Sequence, residues 1–204
     1  MKSNKTKLFI LETIFIIFLF FILCISKVVS RYLFSAILIL FAISAILLLK
    51  PRNKRSIHKK KVDLLMALFA ILYVGILYLY GLYSGFMQSK YTFNFSALYR
   101  IILPLSLSII SSEVVRSTLL QTDGVVKIKS KNYNLSLPFI YIIMVLIDLN
   151  IYKDIYGING IVSFIEAIGY TLFASLSCNL FFNYVSKNYS RTGIIIYRMI
   201  TTLY

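Results

Sequence analysis

The sequence predicts an all-α, polytopic membrane protein: a bundle of six transmembrane helices plus a short or truncated seventh, with a cytoplasmic amino terminus. Two observations lead to this fold class. The 204 residues are 59% hydrophobic and only 14% charged, which is too apolar for a soluble domain. Lys and Arg also alternate between successive connections, with counts of three, two, seven, one, four, one and two. Because basic residues are enriched on the cytoplasmic side of a membrane, this alternation predicts both the helix count and the orientation.

The apolar runs that define the helices differ in length and polarity. A helix needs about 20 residues to cross a hydrocarbon core about 30 Å thick. The first three runs meet this length, the fourth and sixth are long enough but contain polar residues, and the fifth is shorter. In chain order, the predicted helices of this single membrane domain (residues 1–204) are Leu8–Ser26, Tyr32–Leu49, Leu64–Tyr83, Ala97–Leu120, Tyr133–Leu149, Ile161–Ser186 and Gly193–Tyr204.

The two ends of the chain each have a second interpretation. The first run, with lysines before it and Val28-Val29-Ser30 after it, has the parts of a signal peptide, although its apolar stretch is long for one. We expect an uncleaved helix, and the topology is the same in both cases. The last run, Gly193–Tyr204, rises only about 18 Å as a helix, so we expect it to be interfacial or truncated.

The net charge of +15 predicts the partner of the inner surface. Sixteen of the 22 basic residues lie in the amino terminus and connections that are predicted to be cytoplasmic. Anionic lipid headgroups attract such residues. Nucleic-acid binding is the competing interpretation of a basic protein, but these connections are too short to form a basic folded domain, so we expect no nucleic acid.

No cofactor or metal site is predicted, and the enzyme class stays uncertain. The sole histidine, His58, lies in a basic connection, and Cys24 and Cys178 fall in separate apolar runs. An HExxH pair, a glycine-rich phosphate loop and a Ser-His-Asp set are missing from the sequence. A Ser-Lys pair would need a lysine within a membrane span, and none is predicted there. Any chemistry would therefore require groups beyond those recognised here.

Polar residues within the spans are the candidate functional residues, because charges in hydrocarbon are costly and are normally paired or face a cavity. On the inner side, Glu113 and Arg116 are three residues apart and share a face of the fourth helix. Arg198 on the seventh helix reaches the same depth, as do Asn179 and Asn183 on the sixth. We expect these five residues to cluster, either to hold helices together or to line a substrate or ion path.

A second cluster is predicted near the outer surface. Arg100 enters the fourth helix one turn from that surface, and Glu166 enters the sixth helix at nearly the same level. Asp148 ends the predicted fifth helix on the same side. Nearby, Pro104 removes a backbone hydrogen bond and predicts a kink in the fourth helix.

Several short stretches resemble the multi-pass amino-terminal region of signal peptidase I-like proteins from low-GC Gram-positive bacteria. These stretches are Tyr80–Phe86, Leu103-Pro104, Ile109–Arg116, Asn179–Tyr184 and Ser190–Ile200. The resemblance implies a bacterial plasma membrane location and a peptidase domain that follows the apolar region. No catalytic residue is carried over, because the serine-bearing motif of signal peptidases has no match here. The resemblance therefore implies a membrane region without the catalytic part.

Two main functions remain open. The chain is either a non-catalytic membrane module of a signal peptidase-like protein-processing system, with a peptidase as partner, or a small transporter or substrate-binding membrane subunit. A transporter requires a polar cavity near the middle of the membrane, whereas a scaffold should have paired charges and a closed core. A lipid- or polysaccharide-modifying enzyme is a third possibility, disfavoured by the missing acid and base residues.

Overall fold

Helices form most of the computed structural model, which describes residues 2–24, 30–49, 59–84, 95, 98–122, 125–128, 131–134, 136–152, 169 and 172–203. Within these residues the α-helices are α1 (Lys2–Cys24), α2 (Arg31–Leu49), α3 (Lys59–Ser84), α4 (Leu103–Gln121), α5 (Ser136–Tyr152), α6 (Phe173–Asn188) and α7 (Arg191–Leu203). A π-helical turn, Leu98–Ile102, precedes α4. Two strands, β1 (Val125–Ile128) and β2 (Lys131–Asn134), pair as an antiparallel hairpin between α4 and α5.

Among the described residues, three segments are long and apolar enough to span a membrane. They are Arg31–Leu49, Lys60–Ser84 and Leu98–Gln121. Two shorter apolar segments, Leu8–Ile22 and Leu137–Ile151, lie in α1 and α5. The prediction of a helical protein with membrane-length apolar helices is confirmed at this level.

The connection between α4 and α5 differs from the prediction. The fifth helix was expected to begin at Tyr133, but Tyr133 lies in β2, where it pairs with Val126 of β1. Hairpin pairing satisfies the backbone groups of β1 and β2 that face each other. As a result, α5 begins at Ser136 and ends at Tyr152, three residues later at each end than the predicted helix.

The start of α4 reflects Pro104, the second residue of this helix. Proline has no backbone N–H to donate to the preceding turn, so the regular α-helical ladder cannot continue through it. The residues before it form the π-helical turn Leu98–Ile102. The predicted irregularity is thus present as a change of helix type at Ile102 and Leu103.

The contacts between helices show their relative directions. The α1 and α5 helices run parallel, because Phe9 contacts Phe139 near their starts and Leu19 O accepts a hydrogen bond from Asn150 Nδ2 near their ends. The α2 and α4 helices run the opposite way, since their starts meet the end of α5 in a small cleft lined by Phe34 and other side chains of these helices. Helix α6 is antiparallel to α5, and the starts of α3 and α7 lie together.

Apolar side chains form two separate clusters. The larger joins α1, α2, α4 and α5, and its fully buried members include Leu19, Leu38, Leu119 and Met144. The smaller joins α3, α6 and α7. It consists of Met66, Phe182, Val185 and Ile194, with Val62 and Tyr197 packed against them. Polar residues, which belong to neither cluster, form the contact of α4 and α5 with α6 and α7.

A glycine brings α3 and α7 close together. A Cβ atom built on Gly193 would lie 2.9 Å from Asp63 Oδ1 and 3.2 Å from Asp63 Cα. Because Gly193 is in the first turn of α7, the Asp63 carboxylate also lies near the positive end of that helix. The lack of a side chain at Gly193 therefore permits this helix contact.

Candidate functional site: a buried charge network

Four buried charged side chains meet where α4, α5 and α7 come together. Glu113 and Arg116 belong to α4, Asp148 to α5 and Arg198 to α7. Arg198 Nη1 lies 2.7 Å from Glu113 Oε1, and Arg198 Nη2 lies 2.6 Å from Asp148 Oδ1. Arg116 Nε lies 3.0 Å from the other oxygen of Glu113. The two arginines thus share Glu113, while Arg198 also reaches Asp148.

Two asparagines of α6 complete the network. Arg116 Nη2 donates to Asn179 Oδ1 at 2.6 Å, and Arg116 Nη1 donates to Asn183 Oδ1 at 3.0 Å. Asn179 Nδ2 in turn donates to Asp148 Oδ2 at 2.7 Å. Asn179 therefore accepts from a cation and donates to an anion, which is the arrangement that a neutral amide can use to bridge two charges.

Two serine hydroxyls form further hydrogen bonds with these charged and amide groups. Ser175 Oγ donates to Asp148 Oδ2 at 2.9 Å and accepts from Asn179 Nδ2 at the same distance. On α4, Ser112 Oγ accepts from Arg198 Nη1 at 3.3 Å and donates to Ile109 O. We use the name charge network for Glu113, Arg116, Asp148, Arg198, Asn179, Asn183, Ser112 and Ser175.

Helical spacing puts these side chains on matching faces. Ser112, Glu113 and Arg116 lie within one turn of α4, so Glu113 and Arg116 project from the same side. Ser175, Asn179 and Asn183 are four apart on α6 and form a polar stripe along it. Opposite this stripe, α7 contributes only Arg198, the eighth of its 13 residues.

The charge network is almost entirely buried and is electrically balanced, and its most exposed member is Asn183, at 9%. Glu113, Arg116 and Asn179 are fully buried, and Arg198 and Asp148 are 3% and 4% exposed. Two carboxylates face two guanidinium groups, so the formal charges sum to zero. Arg116 also lies over the Phe182 ring, with Cζ 5.4 Å from the ring centre, a cation–π contact. Burial of charge is tolerated here because each ion has an opposite charge and hydrogen bonds.

This arrangement lacks the features of a reactive centre. The Ser175 hydroxyl donates to Asp148, and the Ser112 hydroxyl donates to the backbone oxygen of Ile109. A base that removes a proton from either hydroxyl would have to be a carboxylate of the network, and both carboxylates are already paired with arginine. Among the described residues, no group of three or more His, Cys, Asp or Glu side chains could hold a metal ion. What the network can do chemically is hold four helices in one register.

The structure brings all five members of the predicted inner cluster together: Glu113, Arg116, Arg198, Asn179 and Asn183. The predicted outer cluster is different. Asp148 belongs to the charge network with Arg198. Arg100 lies on the exposed side of the π-helical turn. Asp148 therefore has Arg198 as its partner, which the sequence did not indicate, and the outer pair of Arg100 with Glu166 stays a prediction because Glu166, like His58, lies outside the described residues.

Three further residues were not predicted. Ser112 and Ser175 carry no signal of their own in the sequence, because buried serine is common in membrane helices. Glu12 did carry a signal, since an acid within a membrane-length apolar run is rare. Glu12 is fully buried on α1, and within the described part of the chain neither of its carboxylate oxygens has a hydrogen-bond partner.

Comparisons with known proteins leave the chain without an assigned relative. No protein family, no curated protein and no solved structure matches it. Function is therefore argued from the fold and the charge network.

Proposed function

We propose that this protein is a multi-pass plasma membrane protein of a bacterium, with six crossings, a short seventh segment and a cytoplasmic amino terminus. Within the membrane it acts as the non-catalytic module of a signal peptidase-like protein-processing system. The observation that carries this proposal is the buried, neutral charge network between four helices.

The topology is supported by two independent observations. Connections with many and few basic residues alternate along the sequence. The directions of the helices alternate too, since α1 and α5 run one way and α2, α4 and α6 run the other. Consecutive membrane crossings require such an alternation. The three membrane-length segments and the two shorter apolar ones supply five of the six proposed crossings, and α6 is the sixth.

The role as a scaffold is supported by the pairing of the charges. A transporter exposes polar groups to a cavity so that a substrate can replace their partners. Here Arg198 is held by Glu113 and Asp148, and Arg116 by Glu113 and two asparagines. A substrate would have to displace these bonds in a contact where Glu113, Arg116 and Asn179 are fully buried. Buried ion pairs of this kind are instead suited to fixing how helices meet.

The protein-processing context is supported by the resemblance to the membrane region of signal peptidase I-like proteins. Two of the resembling stretches, Ile109–Arg116 and Ser190–Ile200, contain Glu113, Arg116 and Arg198 of the charge network. In this proposal the network keeps the helices in a fixed arrangement. A peptidase, as a separate polypeptide or as a further domain, is held by this module and acts at the outer face.

The test is to isolate the tagged protein from the membranes of its own host in mild detergent. The isolated fraction is then given a fluorogenic peptide that contains a secretory cleavage site. We expect cleavage by this fraction and none by an unrelated tagged multi-pass protein from the same membranes. Failure to cleave, together with a melting temperature raised by vitamins, amino acids or sugars, would favour the substrate-binding alternative.

A further inference from the structure

A groove of about 560 Å³ opens where α5 begins and α6 ends. This volume lies within the range of roughly 300–1,000 Å³ that is usual for sites that hold small molecules. The groove is lined by the first two turns of α5 and by the last three turns of α6. The proposed topology places both of these helix ends at the cytoplasmic side of the membrane.

The part of the groove nearer the middle of the helices is apolar. Leu180 and the ring of Tyr141 line it, while Leu137 and Pro138 add apolar surface closer to the start of α5. The Tyr141 hydroxyl donates to Leu176 O at 2.6 Å, so its polar atom is already engaged. Leu180 is 64% exposed. These walls present hydrocarbon to whatever fills the groove.

The end of the groove at the terminus of α6 is polar and positively charged. Lys187 lies in the last turn of α6, is exposed, and lines the groove with Asn188. Asn183 lines it as well. Because Asn183 Oδ1 accepts from Arg116, the N–H donors of this amide lie on the side away from Arg116.

We propose that this groove binds one anionic phospholipid, with its headgroup at Lys187 and its acyl chain along Tyr141 and Leu180. An anionic headgroup matches the lysine, and an acyl chain matches the apolar walls. The order of the two regions is also correct, since the charged end lies at the helix termini and the apolar part lies deeper. This site rests on the membrane placement proposed above and does not depend on the role as a scaffold.

A fluorescent tryptophan can test the site, because the chain contains no tryptophan. Tyr184→Trp places the probe at the groove, four residues before the end of α6. Tyr80→Trp is the matched control, because it is exposed and lies four residues before the end of α3. Each variant is reconstituted in vesicles that contain brominated phosphatidylglycerol or brominated phosphatidylcholine. Quenching of the tryptophan then gives the relative binding constant of the two lipids.

We expect the probe at position 184 to prefer the anionic lipid by about fivefold, the factor contributed by one lysine near a membrane surface. The probe at position 80 should show a ratio close to one. Adding Lys187→Gln should abolish the preference at position 184. Lys60→Gln, which removes the same charge from an exposed lysine of α3, should leave it unchanged.

Three results would overturn the site: equal binding of both lipids at position 184, the same preference at both probes, or a preference that survives Lys187→Gln. Quenching at position 80 without lipid preference at position 184 would refute the lipid site and leave the membrane placement intact. Absence of quenching at both positions would refute the membrane placement, and the lipid site with it. Failure of the peptidase assay would affect only the proposed scaffold role.

Discussion

Arg198 and Asp148 form an ion pair between α7 and α5, with Arg198 Nη2 2.6 Å from Asp148 Oδ1. Their side chains are 4% and 6% exposed. Arg198 also holds Glu113 on α4, so one guanidinium group connects three helices. Arg198 is thus the side chain that ties α7 to α4 and α5, while Ile194 and Tyr197 pack it against α3 and α6.

Replacing Asp148 and Arg198 together should lower the free energy of unfolding by less than the two single losses added together. Asp148→Asn leaves the charge network with a net positive charge, and Arg198→Gln leaves it with a net negative charge. Each should lower the free energy of unfolding by about 3–5 kcal/mol, because an uncompensated charge stays buried. The double variant restores neutrality and should lose clearly less than the two single losses combined. Unfolding in mixed detergent micelles measures all three.

The control for this cycle is Arg191→Gln, which removes an exposed arginine from the start of α7. We expect its unfolding free energy to stay within about 0.5 kcal/mol of the wild type. If the losses of Asp148→Asn and Arg198→Gln simply add in the double variant, the two side chains are not coupled, and the pair would have to be abandoned.

Gly193→Ala should weaken the contact between α3 and α7. The added Cβ would lie 3.2 Å from Asp63 Cα and 2.9 Å from its Oδ1, and the backbone atom cannot rotate away. Overpacking of this kind costs about 1–3 kcal/mol. Gly75→Ala is the matched control, because no atom lies within 4 Å of a Cβ at that position of α3. Equal melting temperatures for the two variants would contradict the close approach.

The two buried glutamates should respond oppositely to replacement by leucine. Within the described residues Glu12 has no hydrogen-bond partner, so Glu12→Leu removes an unsatisfied polar group and should raise the free energy of unfolding by about 1–3 kcal/mol. Glu113→Leu leaves two buried arginines with one carboxylate and should lower it by about 3–5 kcal/mol. A loss of stability in Glu12→Leu would show that this carboxyl group has a partner, and thermal unfolding of both variants decides the matter.

The orientation can be measured with fusions at two helix ends. Alkaline phosphatase fused after Ser84 should be active, because the end of α3 is expected outside. Green fluorescent protein fused after Gln121 should fluoresce, because the end of α4 is expected inside. The exchanged fusions, with each reporter at the other site, serve as controls and should be silent. The opposite pattern would place the amino terminus outside and reverse the proposed topology.

The sequence was sufficient to predict that five residues lie at one depth, because depth follows from helix boundaries and helix direction alone. These residues are Glu113, Arg116, Arg198, Asn179 and Asn183. The pairing of Asp148 with Arg198 was missed because the predicted boundary of the fifth helix differs from that of α5. The predicted helix ended at Leu149, which put Asp148 at the outer surface, but the hairpin shifts α5 to Ser136–Tyr152. This shift moves Asp148 one turn into the helix, where Arg198 reaches it.

Contacts between side chains of different helices were the part that the sequence could not supply. Helical periodicity says which residues of α6 share a face, but it does not say which helix that face meets. Asn179 reaches Arg116 on α4 and Asp148 on α5, residues 63 and 31 positions away. Such pairings depend on how the helices cross, which is a property of the packed bundle.

The long separation of the charged partners has a consequence for biosynthesis. Arg198 follows Asp148 by 50 residues and Glu113 by 85. While the ribosome is still making the segments between them, Asp148 has no cation from α7, and Glu113 has only Arg116 on its own helix. Helices α4 and α5 therefore enter the membrane with an excess carboxylate, and their final arrangement has to wait for α7. Assembly of the bundle is consequently coupled to the synthesis of α7 and should be retarded when Arg198 is absent.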